Sequence, residues 1–297
     1  MPGGEDRGAV LPPGFELVQA RDTTTAILRA DLVPVLRDLS PATLERLTAR
    51  RDQEFAAERE GRGGVGRLAL DGGHVLRVKK YRRGGALAAV LPDLFPTRSR
   101  MLADLRACER ARERGVAAAQ VAGLILRKRA GFLWAGYLLT EEIPGAVSLS
   151  RALGTDDPDA VDGAAGRAGT EDPHGSGAPA LARRGVALVR RMHDAGILHR
   201  DLNLGNLLAG RDGIHVIDLD GASLHPSLSA AQRFRNLSRL DRSYVKLFGG
   251  RGPLSHEDRR GLLAEYCGED ASMLRDFESR LPGHKRSLFR HGLLRRR

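Results

Sequence analysis

The chain has 297 residues, of which 41% are hydrophobic and only 4% aromatic, so a core for one or two domains has to come from Leu, Val and Ala. No apolar run reaches the length that spans a bilayer, and MPGGEDRGAVLPPG lacks the basic-then-apolar order of an export signal, so a cytoplasmic protein is expected. The net charge of +11 favours an anionic partner, such as a membrane face, nucleic acid or a phosphorylated glycolipid, or else marks an Arg-rich solvated surface. Cys108 and Cys267 lie far apart and without metal spacing, as structural thiols of a reducing compartment do.

Residues 1–14 carry Gly and Pro without periodicity and read as a disordered or loosely docked tail. A strand over Phe15–Val18 and a helical stretch around Pro34–Ala56 follow. GRGGVG at 61–66 satisfies G-x-G-x-x-G but has no buried strand before it or helix after it, as a dinucleotide fingerprint needs. It precedes Arg67–Leu70, the turn Asp71-Gly72-Gly73 and His74–Lys80, which together read as a β-hairpin. Gly61, Gly63, Gly64 and Gly66 are therefore candidates for backbone that closes over phosphates, against the plainer reading of a Gly-rich turn. The second hairpin strand ends in Lys79-Lys80. One of the two can meet phosphates and the other is a solvated cation of the strand, since a one-residue slip exchanges the faces.

GGALAAVLPDLF at 84–95 is a small apolar segment flanked by Arg82, Arg83, Arg98 and Arg100. Either it packs in a core, or it touches lipid while the arginines hold acidic groups of an acceptor. A helix is expected over Arg98–Arg114, capped by Gly115, and a strand over Gly131–Thr140 that runs into Glu141-Glu142-Ile143 and stops at Pro144-Gly145. Residues 154–179 are dense in Gly, Asp and Pro and read as a flexible insertion. Leu181, Leu188, Val189 and Met192 mark an amphipathic helix that ends at Gly196, with His193 structural within it.

That helix leads into ILHRDLNLGNLLAGRDGIHVIDLDGA at 197–222, the most informative stretch. Asp201 and Asn206 stand five residues apart, and Asp218 follows the turn Arg211-Asp212-Gly213. Ile197-Leu198, Leu207-Leu208 and Ile214–Ile217 can form short strands that hold the loop. Phosphoryl transfer from ATP needs a carboxylate near the attacking hydroxyl, hard oxygen ligands for magnesium and cations on the phosphates, and this spacing supplies the first two. Taken singly, each of these residues reads as an ordinary turn or strand-end residue. Further on, Phe234, Leu237, Leu240 and Tyr244 form a helical apolar stripe with basic residues between them, and 285–297 is a basic tail suited to anionic membranes or simply exposed.

HRDLNLGN followed by VIDLD resembles the protein-kinase-like superfamily. With Asn203 and Asp220 where protein kinases usually carry Lys and Gly, it is similar to the lipopolysaccharide kinases, the 3-deoxy-D-manno-octulosonic acid (Kdo) kinase and heptose kinase family. KKYRRGG at 79–85, LLTEEIPGA at 138–146 and RNLSRLDRSYVKL at 235–247 resemble the family's other landmarks, so the likeness runs from about Gly61 to Leu247. It implies an α+β, bilobal protein-kinase-like fold with a β-rich N-lobe over 15–142 and a mainly α-helical C-lobe over 143–297. The implied cofactors are ATP and Mg2+. Asp201 would take the acceptor's proton, Asn206 and Asp218 would hold the metal, and Lys79 would hold phosphates, with Asp104 as its acidic partner in place of the usual Glu. Glu141 and Ile143 would meet adenine, His199 would brace the loop, and Arg82, Arg83 and Asn203 would contact the acceptor. That acceptor would be Kdo or heptose of a lipopolysaccharide precursor, met at the inner face of the cell inner membrane. A protein or small-molecule kinase is the alternative. No helix-turn-helix, zinc or aromatic-platform motif supports a nucleic-acid partner.

Overall fold

The computed structural model describes residues 11–19, 23–49, 65–83, 93–129, 131–154, 177–249 and 252–293. The chain divides into two compact units, one of residues 1–109 with 119–142 and one of 110–118 with 143–297.

The first unit is built on six antiparallel strands: β1 (Phe15–Gln19), β2 (Thr24–Arg29), β3 (Val65–Ala69), β4 (Val75–Lys80), β5 (Val121–Lys128) and β6 (Trp134–Glu141). They lie in the order β1-β2-β5-β6-β4-β3. The Asp71-Gly72-Gly73 turn closes the β3–β4 hairpin, with both glycines at φ +85°, where a side chain would be strained. Before β1, Pro12 and Gly14 accept backbone hydrogen bonds from Phe15 and Ala30. Residues 1–10 lie outside the described residues.

In place of the continuous helix expected from Pro34, two short ones form, α1 (Val33–Leu36) and α2 (Pro41–Ala49). Pro41 disfavours helical backbone at the residue before it and is suited to a helix's first position, and the Ser40 hydroxyl accepts from Thr43 N–H at 3.2 Å to open α2. The rest of that expected helix, 50–56, lies outside the described residues.

One sheet face carries Leu28, Leu76, Val78, Ile125, Tyr137 and Leu139, which pack with Leu36 and Leu44 from α1 and α2. On the other face lies α3 (Ser99–Glu113), whose Met101 approaches so closely that a Cβ on Gly136 would stand 2.5 Å from its sulfur. Gly115 at φ +67° then ends α3, with Val116 N–H returning to Ala111 O.

In the second unit, β7 (Val147–Ser148), β9 (Leu207–Gly210) and β10 (Gly213–Val216) form a small sheet, and β8 (Ile197–Leu198) pairs with β11 (Ser223–Leu224). The helices are α4 (Leu149–Ala152), α5 (Ala178–Asp194), α6 (Ala230–Phe248), α7 (His256–Cys267) and α8 (Ala271–Leu293). Capping boxes start α6 at Ser229 with Gln232 and α7 at Ser255 with Asp258, satisfying amide groups that a helix start leaves open. The expected insertion over 154–179 lies outside the described residues except at its ends. Both cysteines are free thiols and buried, and no described helix is long and apolar enough to cross a membrane.

Candidate active site

Gly196 makes the turn that leads from α5 into the loop. It sits at φ +77°, and a Cβ there would run into His225 O, so a side chain is excluded twice over. After β8 the loop is organised by hydrogen bonds to its own backbone. Asp201 O accepts from Asn203 Nδ2 at 3.0 Å and from Asn206 Nδ2 at 2.9 Å. Asn203 Oδ1 accepts from Asn206 N–H at 3.1 Å, capping the short turn Leu204–Asn206. Leu204 N–H is held at 3.0 Å by Ser243 Oγ of α6. These bonds fix the Asp201 and Asn206 backbones together while the Asp201 side chain stays exposed.

Asp218 is tied to the same loop through the residue before it. Ile217 N–H donates to Asn206 O at 3.0 Å, and Ile217 O accepts from His199 Nε2 at 3.1 Å. The other nitrogen of that ring, Nδ1, accepts from Asp201 N–H at 3.1 Å, so the buried His199 joins the Asp201 backbone to the segment that carries Asp218. Because a carbonyl only accepts, Nε2 carries the proton and Nδ1 is the acceptor. His199 is thus the expected loop brace. Asp218 itself has φ +58°, a left-handed conformation that Asp tolerates better than most side chains and that gathers at functional sites. The structure therefore brings Asp201, Asn206 and Asp218 into one hydrogen-bonded assembly. Asn203 spends both ends of its amide inside the loop, so it shapes the loop; no bond it makes supports the expected acceptor contact.

In the first unit, register separates the two adjacent lysines. Lys79 pairs with Leu138, on the face where α3 packs. Lys80 pairs with Tyr137 on the opposite face, where its ammonium meets Glu45 at 2.8 Å and Asp93 at 2.7 Å. Burial would lower the Lys80 pKa, but hydrogen bonds to Asp93 and Glu45 outweigh it and raise it. The structure thus makes Lys80 an internal ion-pair partner that holds α2 to the sheet, and neither a phosphate ligand nor a solvated cation. Asp104 is fully buried, one helical turn on from Met101, on the side of α3 that packs.

Gly66 faces α2. A Cβ there would lie 2.8 Å from the Leu47 Cβ and carbonyl oxygen, so helix packing alone demands this glycine. Gly61, Gly63 and Gly64 lie outside the described residues. Glu141 N–H already donates to Gln120 O, and its carboxylate meets Arg29 at 2.6 Å; Ile143 O accepts from Ala146 N–H. Arg82 is exposed, while the Arg83 guanidinium lies 5.4 Å from the Phe95 ring centre, beside Arg100 at 5.7 Å. Phe95 is buried and pairs with Trp134, so this end of the apolar segment is core. Residues 84–92 lie outside the described residues.

Sequence reasoning missed Ser243, Asn236 and Tyr266, which serve the loop from α6 and α7. Asn236 and Ser243 fall in the stretch RNLSRLDRSYVKL, legible as a landmark without individual roles, and Tyr266 lies beyond it with no such signal.

A sequence model of the lipopolysaccharide kinase (Kdo/WaaP) family matches residues 48–266. A 3-deoxy-D-manno-octulosonic acid kinase of Xanthomonas campestris pv. campestris (strain B100) is 32% identical over 207 residues, covering 67% of this chain and 73% of that protein. The enzyme of the same name from Vibrio vulnificus (strain YJ016) is 29% identical over 175 residues, or 57% of this chain and 64% of that one. That from Photobacterium damsela subsp. piscicida is 41% identical over 73 residues, 24% and 30% of the two chains, so these last two matches span less than two thirds of the relatives' own length. Among solved structures, WaaP in complex with acyl carrier protein shares the fold, with a TM-score of 0.51 and 23% identity over 83% of this chain and 95% of that one. The kinase-like α+β fold and the family match over most of the sequence agree, and the chain belongs to the lipopolysaccharide kinase (Kdo/WaaP) family.

Proposed function

We propose that this chain transfers the γ-phosphoryl group of ATP to a hydroxyl of Kdo in the inner core of a lipopolysaccharide precursor. The observation that carries the reading is the assembly of Asp201, Asn206 and Asp218 through Asn206 Nδ2, Asn206 O and the two ends of Ile217. Kdo is preferred to heptose because the Xanthomonas and Vibrio relatives are both named Kdo kinases.

The residues fit magnesium. Asn206 donates its Nδ2 inward to Asp201 O, which turns its Oδ1 the other way, and the Asp218 carboxylate is a second hard oxygen donor. When bound, the metal supplies charge neutralisation of the phosphates. Asp201, with its backbone fixed on both sides, orients the acceptor hydroxyl and receives its proton. Lys79 holds phosphates and Asp104 is its acidic partner, while backbone at Glu141 and Ile143 meets adenine, the Glu141 carbonyl being the available group there because its N–H is engaged. Arg82 serves acidic groups of the acceptor, and the basic surface holds the protein at an anionic membrane face.

The test is transfer of labelled phosphate from ATP, with magnesium, to purified lipid A carrying Kdo. Asp201→Asn should lower kcat by roughly 10²- to 10⁴-fold while nucleotide still binds. Label on heptose alone, on protein or on a small-molecule acceptor would redirect the assignment, and absence of transfer to any acceptor would overturn it.

A further inference from the structure

Behind the loop runs a buried chain of side chains with no part in the chemistry above. Asn236 of α6, 3% exposed, donates from Nδ2 to His199 O at 2.7 Å. Its Oδ1 meets His193 Nε2 of α5 at 2.9 Å, and His193 Nδ1 meets the Tyr266 hydroxyl of α7 at 2.7 Å. Tyr266 in turn accepts from Arg233 Nη1 at 3.3 Å, and Arg233 is paired with Asp194 at 2.5 Å.

The direction of every bond is fixed from one end. His199 O can only accept, so Asn236 must present its NH₂ there and its oxygen to His193. His193 therefore carries its proton on Nε2 and accepts on Nδ1, from the Tyr266 O–H. Arg233, which can only donate, faces the hydroxyl oxygen. A reversal at any link would set two donors or two acceptors against each other in a site without water access, at a cost comparable to a lost hydrogen bond. The peptide held at the end of this chain is the one before Arg200-Asp201, and His199 also receives the Asp201 N–H.

We propose that Asn236, His193 and Tyr266 are positioning residues that set where the Asp201 carboxylate stands, by holding the carbonyl of His199. Neither Asn236 nor His193 touches a group assigned to substrate or metal. Three helices that carry no catalytic group thus fix the loop from behind, and displacements of about 1 Å in such a support lower turnover by up to roughly 10²-fold.

The inference rests on the proposed kinase function, so its test includes a readout that does not. In Asn236→Leu, which keeps the volume and removes both bonds, kcat should fall about tenfold to a hundredfold while KM for ATP stays within about twofold. Hydrogen exchange of the 199–206 backbone should accelerate in the same variant. Tyr266→Phe, which removes one hydroxyl, should shift both in the same direction by less. Asn236→Asp adds a signature that a merely structural residue lacks. Its carboxyl faces His193, around which Tyr266, Arg233, Asp194 and His199 are the other charged or titratable groups, with Arg190 against Tyr266. Protonated, it donates to His199 O as the amide does; ionised, it opposes that carbonyl. Turnover relative to the wild type should therefore recover as pH falls.

Unchanged exchange at 199–206 in the variants, or a loss of thermal stability with kcat intact and no recovery at low pH, overturns the positioning role. If the wild type transfers phosphate to nothing, the kinase reading falls and exchange alone decides the positioning.

Discussion

At the residue scale, the site is legible where its chemistry lies close together in sequence. Asp201, Asn206 and Asp218 fall within one contiguous stretch, and the hairpin between the last two is announced by Arg211-Asp212-Gly213. Asn236, His193 and Tyr266 act across 37, 43 and 73 residues, and hydrogen bonds of a single side chain at such separations leave no spacing to read. Burial, only partly offset by the hydrogen bond to Asn236, pushes the His193 pKa down to about 4 from the ordinary 6.5. Above pH 6.5 the imidazole is neutral folded or unfolded. Between 6.5 and 4 only the unfolded state takes the proton, so stability falls with pH across that window, by at most about 3 kcal/mol from this residue. Urea unfolding at pH 7 and pH 4.5 should show that loss, and His193→Gln should show a smaller one. Equal slopes in the two proteins would mean that other groups carry the acid lability.

At the element scale, the hairpins were readable from their glycines, but β2 and β5 were not anticipated. β5 is buried on both faces over Val121–Leu126, and such an unbroken apolar run has no alternation to separate strand from helix. The choice between Lys79 and Lys80 was open for a related reason. Parity assigns the two to opposite faces, but only the pairing with β6 shows which face receives α2 and which α3. The two lysines should separate cleanly in experiment. Lys79→Met should abolish nucleotide binding even by protein that remains folded. Lys80→Met removes the cation that Glu45 and Asp93 share, leaving Glu45 with Arg129 at 3.5 Å, and should cost about 1–3 kcal/mol of stability while nucleotide binding by the folded protein persists. Gly66→Ala adds one methyl where α2 touches β3 and should likewise cost about 1–3 kcal/mol, measured by denaturant unfolding. If Gly66→Ala weakens nucleotide binding without lowering stability, phosphate contact and not packing explains the glycine.

At the scale of the whole molecule, the question is where a net charge of +11 is left once internal pairs are formed. Many described carboxylates are spent on arginine and lysine inside their own unit: Glu142 on Arg67 and Arg77, Asp194 on Arg190 and Arg233, Asp241 on Arg259. The surplus shows on α6. Arg235, Arg239, Arg242 and Lys246 follow one another at helical spacing, and three of them are exposed. The helix's one acidic residue, Asp241, is turned away toward Arg259 and His284. Composition alone left solvated charge and an anionic partner equally open. The stripe favours the partner, because like charges on one helix face repel and give up stability unless something anionic covers them. A basic side chain near an anionic bilayer contributes about 1 kcal/mol, and the attraction fades as salt shortens its range. Cosedimentation with vesicles containing phosphatidylglycerol should therefore weaken at least about tenfold between 0.05 and 0.5 M salt. Arg235→Glu with Arg239→Glu should abolish it while transfer to a detergent-dispersed acceptor persists. Binding that ignores both salt and the charge reversal would show that the stripe is only solvated surface.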